Sequence, residues 1–115
     1  MIGLTNRHKY YLFNGVCDMR KGFDGLSGVV SNHMGEDPLD GSVYIFVNRR
    51  RDRMKMLVWE VGGFMLYYKR LESGTFELPH GESGKNLSIE WDTLVYIIQG
   101  VKLDKIVKNK RFKRA

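Results

Sequence analysis

The sequence predicts a small α+β domain. An antiparallel, meandering sheet of four to five strands packs with two helices in the order β-α-β-β-β-(β)-α, and a basic C-terminal tail follows. Three observations lead there. Short segments of alternating apolar residues are separated by glycine or polar turns. Two other stretches carry apolar residues at spacings of three and four. A length of 115 residues suits one hydrophobic core. The expected layout is one unit over 1–101 and a tail over 102–115.

The elements follow in order. Residues 9–14, KYYLFN, are aromatic-rich, bounded by Gly15 and predicted as a strand. Asp18 stands where an N-cap would, ahead of Phe23, Leu26, Val29, Val30 and His33 or Met34 on one helical face, with Gly35 as the terminator. Gly22, Gly25 and Gly28 each weaken that helix by roughly 1 kcal/mol relative to Ala, and their spacing suggests the close approach of a neighbouring backbone. Residues 42–47 form a strand apolar on both faces, hence central. Residues 54–60 pair with it as a hairpin whose tip is a run of arginines. After Gly62-Gly63, residues 64–71 make the next strand. Residues 75–78 and 87–89 are short further segments, and residues 91–99 form a helix with Trp91, Leu94, Val95 and Ile98 on one face, Ser88 as its cap and Gly100 at its end.

A hydrophobic fraction of 43% and only two prolines argue against a largely disordered chain. No apolar run approaches the ~20 residues of a membrane helix, and the N-terminus does not read as a signal peptide. Cys17 is the one cysteine, so no internal disulfide forms, and a reducing cytoplasm is the expected compartment.

The net charge of +6 is unevenly placed. Residues 1–47 carry four basic and five acidic side chains, whereas residues 48–55, NRRRDRMK, carry five and one. Residues 56–99 carry three and six, and residues 100–115 carry seven and one. A mildly acidic body thus bears two basic elements, the pattern that displaces counterions from a polyanion. A solvated hairpin tip and a solubilising tail would give the same composition.

The residue spacing presents no catalytic constellation. His8, His33, His80 and Cys17 lack zinc-ligand spacing, and no G-x-S-x-G elbow occurs. HGESGKN has two residues between its glycines, not four, and Asn86 follows the lysine, so it is no phosphate loop. Asp18, Asp24, Asp52, Glu60 and Glu72 are the carboxylates available to a metal-dependent nuclease. However, Asp52 is expected to pair with its arginine neighbours, and Glu72 with Lys69 or Arg70. Neither an enzymatic activity nor a cofactor is expected.

Two stretches carry a family resemblance. One is Asp18-Met19-Arg20-Lys21-Gly22-Phe23-Asp24-Gly25-Leu26. The other runs from Phe46 through Asn48-Arg49-Arg50-Arg51-Asp52-Arg53, Lys55, Leu57 and Trp59 to Tyr67-Tyr68-Lys69-Arg70-Leu71-Glu72, Gly74, Phe76 and Pro79. Over residues 8–101 the chain resembles the second-open-reading-frame accessory protein (TnpB) of the IS66 group of bacterial insertion sequences. The resemblance implies an accessory role in transposition beside a separately encoded transposase, with no enzymatic activity assigned to the family.

Together these readings favour a DNA-binding accessory protein. Arg49, Arg50, Arg51 and Arg53 would supply planar contacts to phosphates or guanine edges. Lys55, Lys69 and Arg70 would extend the surface from neighbouring strands, although only one of the adjacent pair Lys69 and Arg70 can face it. Lys108, Lys110, Arg111, Lys113 and Arg114 would act from the tail. Tyr44, Trp59, Tyr67 and Tyr68 would stack on bases if exposed. The alternative is an adaptor that docks the transposase without touching DNA.

Overall fold

The chain alternates β1 (Tyr10–Leu12), α1 (Phe23–Val29), β2 (Val43–Val47), β3 (Arg53–Glu60), β4 (Gly63–Arg70), β5 (Leu87–Ile89) and α2 (Trp91–Ile98) in a computed structural model that describes residues 3–81 and 86–100. The five strands form one sheet in the order β4-β3-β2-β1-β5. β2–β3, β3–β4 and β1–β5 are antiparallel, but β1 and β2 run parallel, with Tyr10 opposite Val43 and Leu12 opposite Ile45. The sheet is therefore mixed rather than a pure antiparallel meander. The long connection through α1 explains it, since only a crossover of this kind brings a second strand back parallel to the first.

The two sheet faces bury different clusters. Val43, Ile45 and Val47 of β2, with Met54, Met56 and Val58 of β3, pack against Leu94 and Ile97 of α2. Tyr44, Phe46 and Leu57 point the other way, onto Leu26, Val29, Val30 and Met34. All five residues of β2 are buried, as its two apolar faces predict. The result is a helix on each side of one sheet.

Several local expectations give way. Asp18 does not cap α1: the N-cap is Gly22, without a side-chain bond, and Asp18 turns instead to Arg20. Phe23 is exposed, and the helix runs past Val29 into a π-helical turn, Val30–Met34, which Gly35 ends in the left-handed region at φ 67°. Among the described residues nothing lies within 4 Å of where a Cβ would stand at Gly22, and the atoms nearest that point at Gly25 and Gly28 belong to the side chains of Lys21 and Asn32 rather than to a neighbouring backbone. Glu90, not Ser88, precedes α2, and it too makes no side-chain capping bond. In α2 it is Ile97 rather than Val95 that joins Leu94 in the core. Residues 75–78 are not a strand; Phe76 there is fully buried in the α2-side core.

Candidate nucleic-acid interface

The turn between β2 and β3 is built by one side chain. Asn48 Oδ1 accepts from the backbone N–H groups of Asp52 at 3.0 Å and Arg53 at 3.1 Å, while its Nδ2 donates to Asp52 Oδ1 at 2.7 Å. The backbone closes as well, with Arg51 N–H donating to Asn48 O at 3.0 Å. Arg51 must then adopt φ 58°, the left-handed conformation that such a turn ordinarily gives to glycine or asparagine. Behind the turn, Leu71 N–H donates to Asp52 O at 2.8 Å and Phe76 N–H to Arg51 O at 2.6 Å. The hairpin tip is thus tied on both sides.

This framework displays the arginines and engages the Asp52 carboxylate with Asn48. Arg49, Arg50 and Arg51 are exposed and Arg53 is half-buried. Among the described residues none of the four is ion-paired, whereas Asp52, expected to pair with them, is engaged by Asn48. Arg53 donates to the Tyr68 hydroxyl at 3.3 Å. It lies directly opposite Arg70 across the β3–β4 ladder, on the same face. Like charges so placed oppose one another by a few tenths of a kcal/mol or more, an opposition that an anion lying over them relieves.

A cleft of about 690 Å³ is lined by Arg49, Arg50, Asp52 and Arg53 of the turn together with Val16 to Arg20. A second concavity of about 440 Å³ is lined by Arg53, Tyr68, Arg70 and Glu72. Arg53 belongs to both, so the basic lining continues from the hairpin onto β4. Arg51 lines a separate cavity of about 290 Å³ toward residues 78–81.

The expected basic residues divide. Arg70 lies on the α1 side with Arg53, while Lys69 pairs with Met54 on the opposite face and does not extend the same lining. Lys55 is buried, 7% exposed, and so forms no part of a basic surface. Its ammonium donates to the carbonyls of Met19 at 2.7 Å and Lys21 at 2.8 Å and lies 4.7 Å from the centre of the Tyr68 ring. The strand period placed Lys55 on a face; it carried no information about what covers that face. Lys108, Lys110, Arg111, Lys113 and Arg114 lie outside the described residues.

Of the four candidate stacking residues, Tyr44 is fully buried, Tyr67 packs against the α2-side core and Trp59 meets Phe64 edge-on at 5.0 Å. Tyr68 alone among them is exposed. Arg20, absent from the expected set, lines the main cleft and forks onto Asp18, with Nη2 2.7 Å from Oδ2. This holds the Asp18 carboxyl down at about 2. The place of Arg20 just before α1, where a cation opposes the helix dipole, is a weak sign of an anionic partner, but residue 20 meets the hairpin only through the fold. Among the described residues no three His, Cys, Asp or Glu side chains converge as a metal site. No helix among them is long and apolar enough to cross a membrane.

The molecule is thus a small α+β protein with a mixed five-stranded sheet, a helix on each face and an arginine hairpin at one end. The chain belongs to the family described as IS66 Orf2 like protein, whose model matches residues 8–108. That match runs past residue 101 into the basic tail, beyond the motifs that carry the resemblance. The chain is 33% identical over 94 residues to the uncharacterized protein y4hO of Sinorhizobium fredii (strain NBRC 101917 / NGR234), covering 81% of this chain and 80% of the relative. To the uncharacterized protein y4jC of the same strain it is 32% identical over 84 residues, covering 73% and 72%. No solved structure matches significantly. The protein is therefore one of the insertion-sequence proteins associated with transposition.

Proposed function

We propose that this protein serves transposition by binding DNA of its element through the arginine hairpin, without catalysing a reaction itself. One observation carries the reading: four arginines stand on a turn held by Asn48, none ion-paired among the described residues, with the turn's single carboxylate hydrogen-bonded by Asn48. A turn held in this way meets phosphates with little loss of backbone freedom, and the ordering of the exposed arginine side chains is the part that binding still has to supply. Arg70 continues the contact along β4, and Lys108, Lys110, Arg111, Lys113 and Arg114 add phosphate contacts from the tail. A cytoplasmic location follows from that partner.

The test is a salt titration of binding to duplex DNA from the element ends and to a scrambled duplex. Replacing Arg49, Arg50, Arg51 and Arg53 by Ala should flatten the dependence of log K on log salt by about 0.9 for each phosphate that is no longer neutralised. An unchanged slope removes the hairpin from the interface. A second reading, a transposase-docking adaptor, draws support from the β4 edge, which is unpaired among the described residues, beside exposed Val61 and Met65. Stable transposase binding that is indifferent to the arginine changes would favour it.

A further inference from the structure

Residues 17–22 form no helix or strand, yet they are bonded firmly to the sheet. Cys17 N–H donates to Val47 O at 3.1 Å, and Lys21 N–H closes back on Asp18 O at 3.2 Å. Between these points the carbonyls of Met19 and Lys21 converge on a single donor, Lys55 Nζ, at 2.7 and 2.8 Å. An ammonium has three donors and no acceptor, so a buried lysine suits two converging carbonyls with an aromatic face beside them. No carboxylate among the described residues shares the ammonium. Lys55 therefore joins a segment more than thirty residues upstream to the strand that leaves the arginine turn.

That joint decides where Arg20 stands. Its side chain is 91% exposed and its Nε and Nη2 are directed onto Asp18, which fixes the plane of the guanidinium. A guanidinium has five N–H groups, so Nη1 and the remaining Nη2 hydrogen stay available. Arg20 lines the same cleft as Arg49, Arg50 and Arg53, from a segment remote from them in sequence. Extending the DNA-binding reading on which it rests, we propose that Lys55 is a positioning residue. It holds residues 18–21 so that Arg20 joins the three hairpin arginines around one stretch of phosphodiester backbone. The cleft is thus a phosphate site of two segments, one the β2–β3 turn and the other the stretch before α1.

The experiment compares the full chain with Arg20→Ala, Lys55→Met, Lys55→Arg and the Arg20→Ala/Lys55→Met pair, titrating duplex-DNA binding with salt. Arg20→Ala should flatten the slope by about 0.9, the worth of one phosphate contact. Lys55→Met should flatten it by the same amount although Lys55 is buried, the pair should flatten it no further, and Lys55→Arg should restore it. Additive effects of Arg20→Ala and Lys55→Met overturn the positioning role. Arg20 is exposed, so Arg20→Ala folds whatever Lys55→Met does, and an unchanged slope in that variant overturns the proposal by itself. If the hairpin substitutions still flatten the slope in that case, DNA binding stands and only the second segment's part falls away. If the unaltered chain shows no salt-dependent binding, both fall.

Discussion

Arg51 and Phe76 are joined backbone to backbone, the Phe76 N–H donating to the Arg51 carbonyl at 2.6 Å. One residue is exposed on a charged turn and the other is fully buried beneath the sheet. The turn that displays the arginines is therefore anchored in the core. A flexible basic loop would have to be ordered on binding; this one is held beforehand.

Arg51 occupies the left-handed region at φ 58°, where a side chain costs roughly 1–2 kcal/mol and glycine costs less. Arg51→Gly should stabilise the fold by about 0.5–1 kcal/mol, seen as a higher urea midpoint with an unchanged m-value. Under the DNA-binding proposal it should also make the salt slope shallower. Lower stability would mean that the arginine side chain itself supports the turn.

Asn48 makes three hydrogen bonds that only a side-chain amide supplies together. Asn48→Ala should lower stability by about 1–3 kcal/mol in urea unfolding, because the half-buried donors of the turn lose their acceptor. A decrease below a few tenths would show that backbone bonds alone hold it.

Arg20 holds the Asp18 carboxyl at about 2 by hydrogen bonding, below its ordinary 3.8. A depressed folded-state value contributes stability above the unfolded value, and that contribution is lost as pH falls through the folded one. Melting temperatures of the protein and of Asp18→Asn should therefore differ at pH 6 and converge between about 4 and 2. A gap that stays constant over that window would mean that the carboxylate charge is not responsible.

Cys17 is 4% exposed, and burial pushes its thiol up, outweighing the opposing pull of Lys21 and Lys55. Alkylation by iodoacetamide at neutral pH should be slow in the native protein and rapid in urea. A native rate equal to that of a small free thiol would show that residues 17–22 open readily.

Tyr44 donates to Asp40 Oδ2 at 2.9 Å, at the end of β2 remote from the arginine turn. Tyr44→Phe should cost about 1.5–3 kcal/mol, since the acceptor is charged, and should leave the salt slope of DNA binding unaltered. A changed slope would show that the two ends of the strand communicate.

Local patterns were sufficient for much of this protein. Alternation placed β2, β3 and β4 within a residue or two, because a strand's period of two is written directly in Val43 to Val47. The arginine hairpin followed from two such runs flanking NRRRDR. The motifs of residues 18–26 and 46–79 identified the family that the match over residues 8–108 establishes. Other features depended on what lies across space. The order strand, helix, strand was compatible with a parallel β1–β2 pair, but sequence proximity favoured a meander, and β1 entered the sheet between β2 and β5. Asp18 had the spacing of a cap, yet a nearby guanidinium offered a stronger charge-assisted partner. Lys55 looked like one more surface cation because periodicity assigns a side chain to a face and is silent about the neighbour that covers it. Only the packing of residues 17–22 over β3 made it an internal joint. The order of residues along the chain set which side chains carry the charge. Which of those charges face solvent together was settled by the folded arrangement, because that depends on contacts between segments far apart along the chain.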